Sequence, residues 1–131
     1  MGYELQWEPR GAIKRYFGHV TRDDMIAPVI ATEADPRFDA LRYVINDFLD
    51  VQSISFTAAD VDEIAAMDTG AAVTNPRIKI AVVALRPDIL VLVRRYMQVA
   101  VAAYPTGVFP TMAEARAWVG QPVDGWPTTI Y

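Results

Sequence analysis

"IKIAVVALRPDILVLVRRYMQVAVAAY", Ile78 to Tyr104, is the stretch that decides the fold. Its first part, Ile78 to Ala84, is apolar with no polar alternation after Lys79, the pattern of a strand covered on both faces. Asp88 then opens a helical periodicity of apolar residues that runs to about Ala103. A doubly covered strand followed by a helix of that length is half of a β-α-β unit, so the sheet is expected to be mostly parallel with helices over its faces.

Working outward, the same alternation appears on both sides. Upstream, "TAADVDEIAAMDTG" carries Thr57 as N-cap, Asp60 at the third helical position, and Val61, Ile64 and Ala65 on one face. Gly70 is the expected stop of that helix. Before it, "LRYVINDF", Leu41 to Phe48, reads as a strand ending among Asn46, Asp47 and Asp50. Further back, Thr21 caps a helix with Asp24 three residues on, and Pro28, beyond the first turn, predicts a kink. The chain opens with two extended segments, about Tyr3 to Glu8 and Ala12 to His19, joined by "EPRG", whose Pro9 and Gly11 suit a type I turn between antiparallel strands. Downstream come a short strand at Val108-Phe109 and a last helix opened by Thr111 with Glu114 in capping-box position. The expectation is one α/β domain over residues 1–119, with a mixed, mostly parallel sheet of about five strands and four helices.

The 131 residues are 53% hydrophobic and 21% charged, the make-up of a single packed domain that needs no staple. There is no cysteine, which removes disulfides, zinc knuckles, iron–sulfur ligation and thiol nucleophiles. The net charge of −4 carries no footprint for a polyanion, so nucleic acid is not an expected partner. No apolar run approaches the ~18 residues of a membrane span. The start, "MGYELQWEPR", lacks the basic and apolar regions of a secretory signal, and the expected compartment is the cytoplasm.

The order and spacing of the initial hairpin, the strand reaching Asp47 with the following "FLDV", the buried "KIAVVA" and the closing "VFPTMAEARAWV" resemble STAS domains. They resemble more closely the SpoIIAA-like branch related to Sec14-type lipid-binding folds. The likeness covers roughly residues 12 to 119. It implies a non-catalytic interaction or regulatory module with the single-domain α/β sandwich of that group, and as a second implication a carrier of a small apolar ligand or lipid. Anti-sigma-factor antagonists of the STAS family carry an Asp-Ser-x-Gly segment where the helix after the central strand begins, and its serine is phosphorylated. This chain has "SISFTAADV" there, without that glycine or an Asp-Ser pair; Ser53, Ser55 and Thr57 are the hydroxyls left as phosphorylation candidates.

Candidate sites are few. Asp47 and Asp50, placed at a strand's carboxyl end, form a candidate partner or ligand edge, although an Asx residue there also suits hydrogen bonding to loop backbone. His19 is the only histidine, so a multi-His metal site is excluded, and neither a Gly-x-Ser-x-Gly elbow nor a Gly-rich phosphate loop is present. No catalytic residue, metal site or cofactor is assigned. On the long helix, apolar residues from Ile89 to Tyr104 cover an arc of roughly 200°. One sheet face covers about half of that, so Leu90, Met97 and Val101 are expected to meet a second subunit, another helix or an apolar ligand, with Arg94 on the polar side. A homodimer is the first expectation. The tail "GQPVDGWPTTIY", residues 120–131, is expected to lie on the protein's own surface or on a partner.

Overall fold

The computed structural model describes residues 2–100 and 103–120. Five strands form one sheet in the order of the sequence: β1 (Tyr3–Glu8), β2 (Gly11–Val20), β3 (Tyr43–Ile54), β4 (Lys79–Val83) and β5 (Thr106–Phe109). β1 and β2 are antiparallel across the two-residue turn Pro9-Arg10, and every later pairing is parallel. The crossovers are α1 (Arg22–Glu33), α2 (Ala58–Thr74) and α3 (Pro87–Val99), and α4 (Met112–Val119) follows β5. A single 3₁₀ turn, Pro36–Ala40, leads into β3.

This order has a steric consequence. Each parallel strand is laid beside the one before it, always advancing in the same direction, so right-handed crossovers put all three connecting helices on one face. That face carries the main core, in which Ala12, Tyr16, Val44, Phe48, Ile80 and Val82 from the sheet meet Val61, Ala65, Ile89 and Val93 from the helices. α4 folds back over the other face and closes a smaller core of Ile13, Ile45, Ala81, Val83 and Ala115. One eight-residue helix cannot cover five strands, so the outer face beyond it, around Arg15, Leu49 and Asp50, faces solvent.

Local rules account for the helix starts. Thr21 with Asp24 and Thr57 with Asp60 form complete capping boxes, and the Thr111 hydroxyl accepts from the Glu114 N–H. α1 runs on through the buried Pro28 and is not interrupted there; four residues later the Thr32 hydroxyl donates to the Pro28 carbonyl at 2.6 Å.

Three boundaries differ from the sequence expectation. β3 does not stop at Phe48 but continues to Ile54, because β-bulges shift its register against β2 between Arg15 and Phe17 and again between Gly18 and His19. The bulges put both Leu49 and Asp50 outside, between the inward Phe48 and Val51, which destroys the alternation that marks a strand. α2 passes through Gly70 and ends at Thr74, where the buried Asn75 takes over: its backbone N–H bonds Ala71, and its side-chain amide donates to the carbonyls of Phe38 and Leu41. α3 ends at Val99, not Ala103, and Ala100, Ala103 and Tyr104 turn back into the core with the Tyr104 hydroxyl on the Asn75 carbonyl at 2.9 Å.

At the sheet's opposite end Gly11 lies under the Tyr43 ring, which occupies the place of a side chain. The ring cannot swing aside freely, since the Tyr43 hydroxyl donates to Glu8. Arg116 of α4 clasps the same carboxylate at 2.9 and 2.7 Å, and this contact above all pulls the Glu8 carboxyl down to about 2. A Cβ on residue 11 would fall 2.0 Å from the ring, so Gly11→Ala is expected to lower stability by roughly 2 kcal/mol in denaturant unfolding. Gly70→Ala, in open space within a helix, is expected instead to stabilise by about 0.5–1 kcal/mol.

Candidate functional site

Between the sheet and the three-helix layer lies a cavity of about 100 Å³. Most of its wall is apolar: Val44, Phe48, Ile80 and Val82 from the sheet, Met25 and Val29 from α1, Ile64 from α2, and Leu92 and Val93 from α3. Polar groups enter from at least four elements. β2 gives Lys14 and Tyr16, β3 gives Asn46, and the helices give Glu33 and Asp68.

The period of two along β2 dictates the first pair. Ala12, Lys14, Tyr16 and Val20 share the face that the helices cover, while Ile13 and Arg15 point to the other. Lys14 is therefore carried inward to 7% exposure by the same geometry that buries Tyr16 to 1%. Asn46 stands beside Lys14 in the parallel register, and the Tyr16 ring stacks on Phe48 with centroids 4.6 Å apart.

The helix-borne acids are arranged differently. Asp68 accepts from the Tyr96 hydroxyl at 2.5 Å. Burial first, and then hydrogen bonding and charge repulsion from Asp68, push the Glu33 carboxyl up to about 8, so Glu33 keeps its proton at neutral pH. Burial drives the Lys14 ammonium below its ordinary value, while the charges of Asp68 and Glu33 oppose that shift.

Among the described residues no hydrogen bond reaches the Lys14 ammonium, the Tyr16 hydroxyl or the Asn46 amide, although each belongs to a residue that is buried or nearly so. Among the described residues, no side-chain nitrogen or oxygen that is sealed from water lacks a partner. These three groups must therefore face open volume, and the volume they all line is the cavity.

The residues singled out in the sequence lie elsewhere. Asp47 is on the outer face, where its carboxylate accepts from the Leu49 N–H at 2.9 Å across the bulge. Asp50 is held by Arg15 at 2.5 Å. The two acids thus sit along β3, not at its end, and each has its own partner. Ser53 meets His19, Oγ to Nδ1 at 2.6 Å, a contact set by the shifted β2–β3 register. Ser55 is exposed, and the Thr57 hydroxyl is engaged with Asp60 as the α2 cap. On α3, Leu90 is half-buried against the main core, while Arg94 and Met97 are exposed. Val101 and residues 121–131 lie outside the described residues. The wide apolar arc expected of the long helix is reduced because that helix ends four residues early and returns Ala100, Ala103 and Tyr104 to its own core. No helix among the described residues is long and apolar enough to cross a membrane.

No protein-family model and no curated protein sequence matches the chain. Solved structures do. The anti-sigma factor antagonist SpoIIAA in its unphosphorylated form matches with a TM-score of 0.61 at 12% identity, over 90% of this chain and 97% of that one. The Bacillus cell fate determinant SpoIIAA in the phosphorylated form matches with a TM-score of 0.56 at 14% identity, over 89% and 98%. An uncharacterised DUF3478-family protein with a SpoIIAA-like fold from Shewanella loihica PV-4 gives 0.51 at 11% identity, over 89% and 91%. The fold is thus that of SpoIIAA, as the sequence resemblance implies.

The raised Glu33 makes a signed pH prediction. Its folded value of about 8 lies above the ordinary 4.5 of a free glutamate, so between those limits the folded chain keeps a proton that the unfolded chain has lost. Stability from this group is present in full below about pH 4.5 and is lost as pH rises through 8. Glu33→Gln should remove that slope, so that in thermal unfolding from pH 5 to 8 the variant gains on the natural protein by about 2 kcal/mol, allowing for partial exposure and the opposing charge of Lys14.

Proposed function

We propose that this chain is a non-catalytic binding module of the SpoIIAA fold whose interior cavity takes a small apolar ligand. The observation that carries this reading is the cavity: an apolar chamber under three helices in which Lys14, Tyr16 and Asn46 have no side-chain hydrogen bond among the described residues. Interiors are normally packed to leave few voids, and apolar wall atoms that face open volume forfeit packing contacts. A ligand would restore those contacts. The likeness to an anti-sigma factor antagonist supports a regulatory setting, in which occupancy of the cavity is felt at the outer surfaces of the helices.

Self-association through α3 has less behind it. Its exposed apolar residues, Val91, Met97 and Val99, are separated by roughly 80° to 160° around the helix and do not form one patch. A single subunit buries Ile89 and Val93 and partly covers Leu90, Leu92 and Tyr96.

The test is a methyl NMR titration with cyclohexane, a compact apolar ring that can reach the chamber's wall from its open side. Saturable shifts confined to the cavity wall, at Ile64, Ile80, Val82 and Leu92, are expected, with Val73 and Leu85 on the surface unmoved. Shifts spread over exposed methyls, or none, would remove the ligand reading.

A further inference from the structure

The polar end of the cavity says what kind of head the ligand carries. We propose that the chamber binds a neutral, compact molecule of roughly six to eight heavy atoms whose single alcohol- or amide-type head is held by Lys14, Tyr16 and Asn46. This rests on the ligand reading above and makes it specific.

Two observations lead there. The first is the set of vacant hydrogen-bonding groups. Lys14 offers donors only, Tyr16 offers one donor and an acceptor, and Asn46 offers both kinds. All three line the chamber without a protein partner among the described residues, and Lys14 and Tyr16 are more than nine-tenths buried. A head oxygen accepting from Lys14, with a proton to give to Asn46 or Tyr16, suits this set, whereas a purely apolar molecule would leave it unsatisfied at a cost.

The second is charge balance. The titratable groups facing Lys14 are Asp68 of α2 and Glu33 of α1, and Glu33 keeps its proton at neutral pH. A carboxylate head would set a third carboxyl group beside Asp68 and Glu33, and an ammonium head would set a second amine beside Lys14. Only a neutral head adds no buried charge. A 150 Å³ apolar cavity holds benzene; this one is about 100 Å³ but not wholly closed, so a six-membered ring fits only with part of it at the opening beside the half-buried Met25, Leu92 and Tyr96.

The experiment compares cyclohexanol, cyclohexane and cyclohexanecarboxylate by NMR titration of the full chain, in the natural protein, in Lys14→Met and in Tyr16→Phe. Cyclohexanol is expected to bind at least tenfold tighter than the carboxylate. The ratio of cyclohexanol to cyclohexane affinity should fall about tenfold in Lys14→Met and severalfold in Tyr16→Phe, with cyclohexane affinity itself little changed. Tyr16→Phe keeps the stack on Phe48, so it carries the test should Lys14→Met fail to fold. If the carboxylate binds as tightly as the alcohol, or the ratio is the same in every folded variant, the head assignment is overturned while the cavity reading stands. If neither cyclohexanol nor cyclohexane binds, both fall and the vacant groups are served by water.

Discussion

The structure depends on the alternation of β2. A strand sends successive side chains to opposite faces, so once Ala12, Tyr16 and Val20 are committed to the helix-covered side, Lys14 has to go with them. No local adjustment frees it: a one-residue slip would bury Arg15 and expose Tyr16. The helices then respond to that ammonium. Glu33 and Asp68 approach from α1 and α2, Tyr96 of α3 ties Asp68 in place, and the space that these polar groups keep open becomes the chamber.

The topology determines why the chamber lies on this side. Sequential strand order with one crossover hand gathers α1, α2 and α3 over a single face, and three helices of different lengths leave room at their junction where one helix lying flat would not. The opposite face has the reverse economy: α4 fits closely on Ile45, Ala81 and Val83, with Lys79 donating to the Trp118 carbonyl and lying over its ring. The outer parts of β2 and β3 are satisfied among themselves, Arg15 by its ion pair with Asp50 and Asp47 by accepting from the Leu49 N–H.

Sequence reasoning reaches those features governed by neighbours in the chain. The hairpin at Pro9-Arg10, the caps at Thr21, Thr57 and Thr111, and the parallel order of strands all follow from spacings of a few residues. It stops short at β3, where a bulge places Leu49 and Asp50 on one side and imitates a strand end, and at α3, where an apolar continuation looks helical although tertiary packing turns it inward at Ala100. The candidate site is almost illegible in advance. "AIKRYF" alternates Ala12, Lys14, Tyr16 against Ile13, Arg15, Phe17, and the second set is the more apolar, so the pattern alone favours burying the wrong face. Glu33 and Asp68 lie far from Lys14 along the chain, and only the shared face of α1 and α2 brings them together.

The most direct test of the account is a crystal structure of the full chain soaked with cyclohexanol. The account predicts one ordered molecule between the sheet and the three helices, its oxygen within hydrogen-bond distance of the Lys14 ammonium and its ring among Val44, Ile80, Val82 and Leu92. A chamber collapsed by side-chain rotation, or filled only by water bridging Lys14 to Asp68, would contradict it.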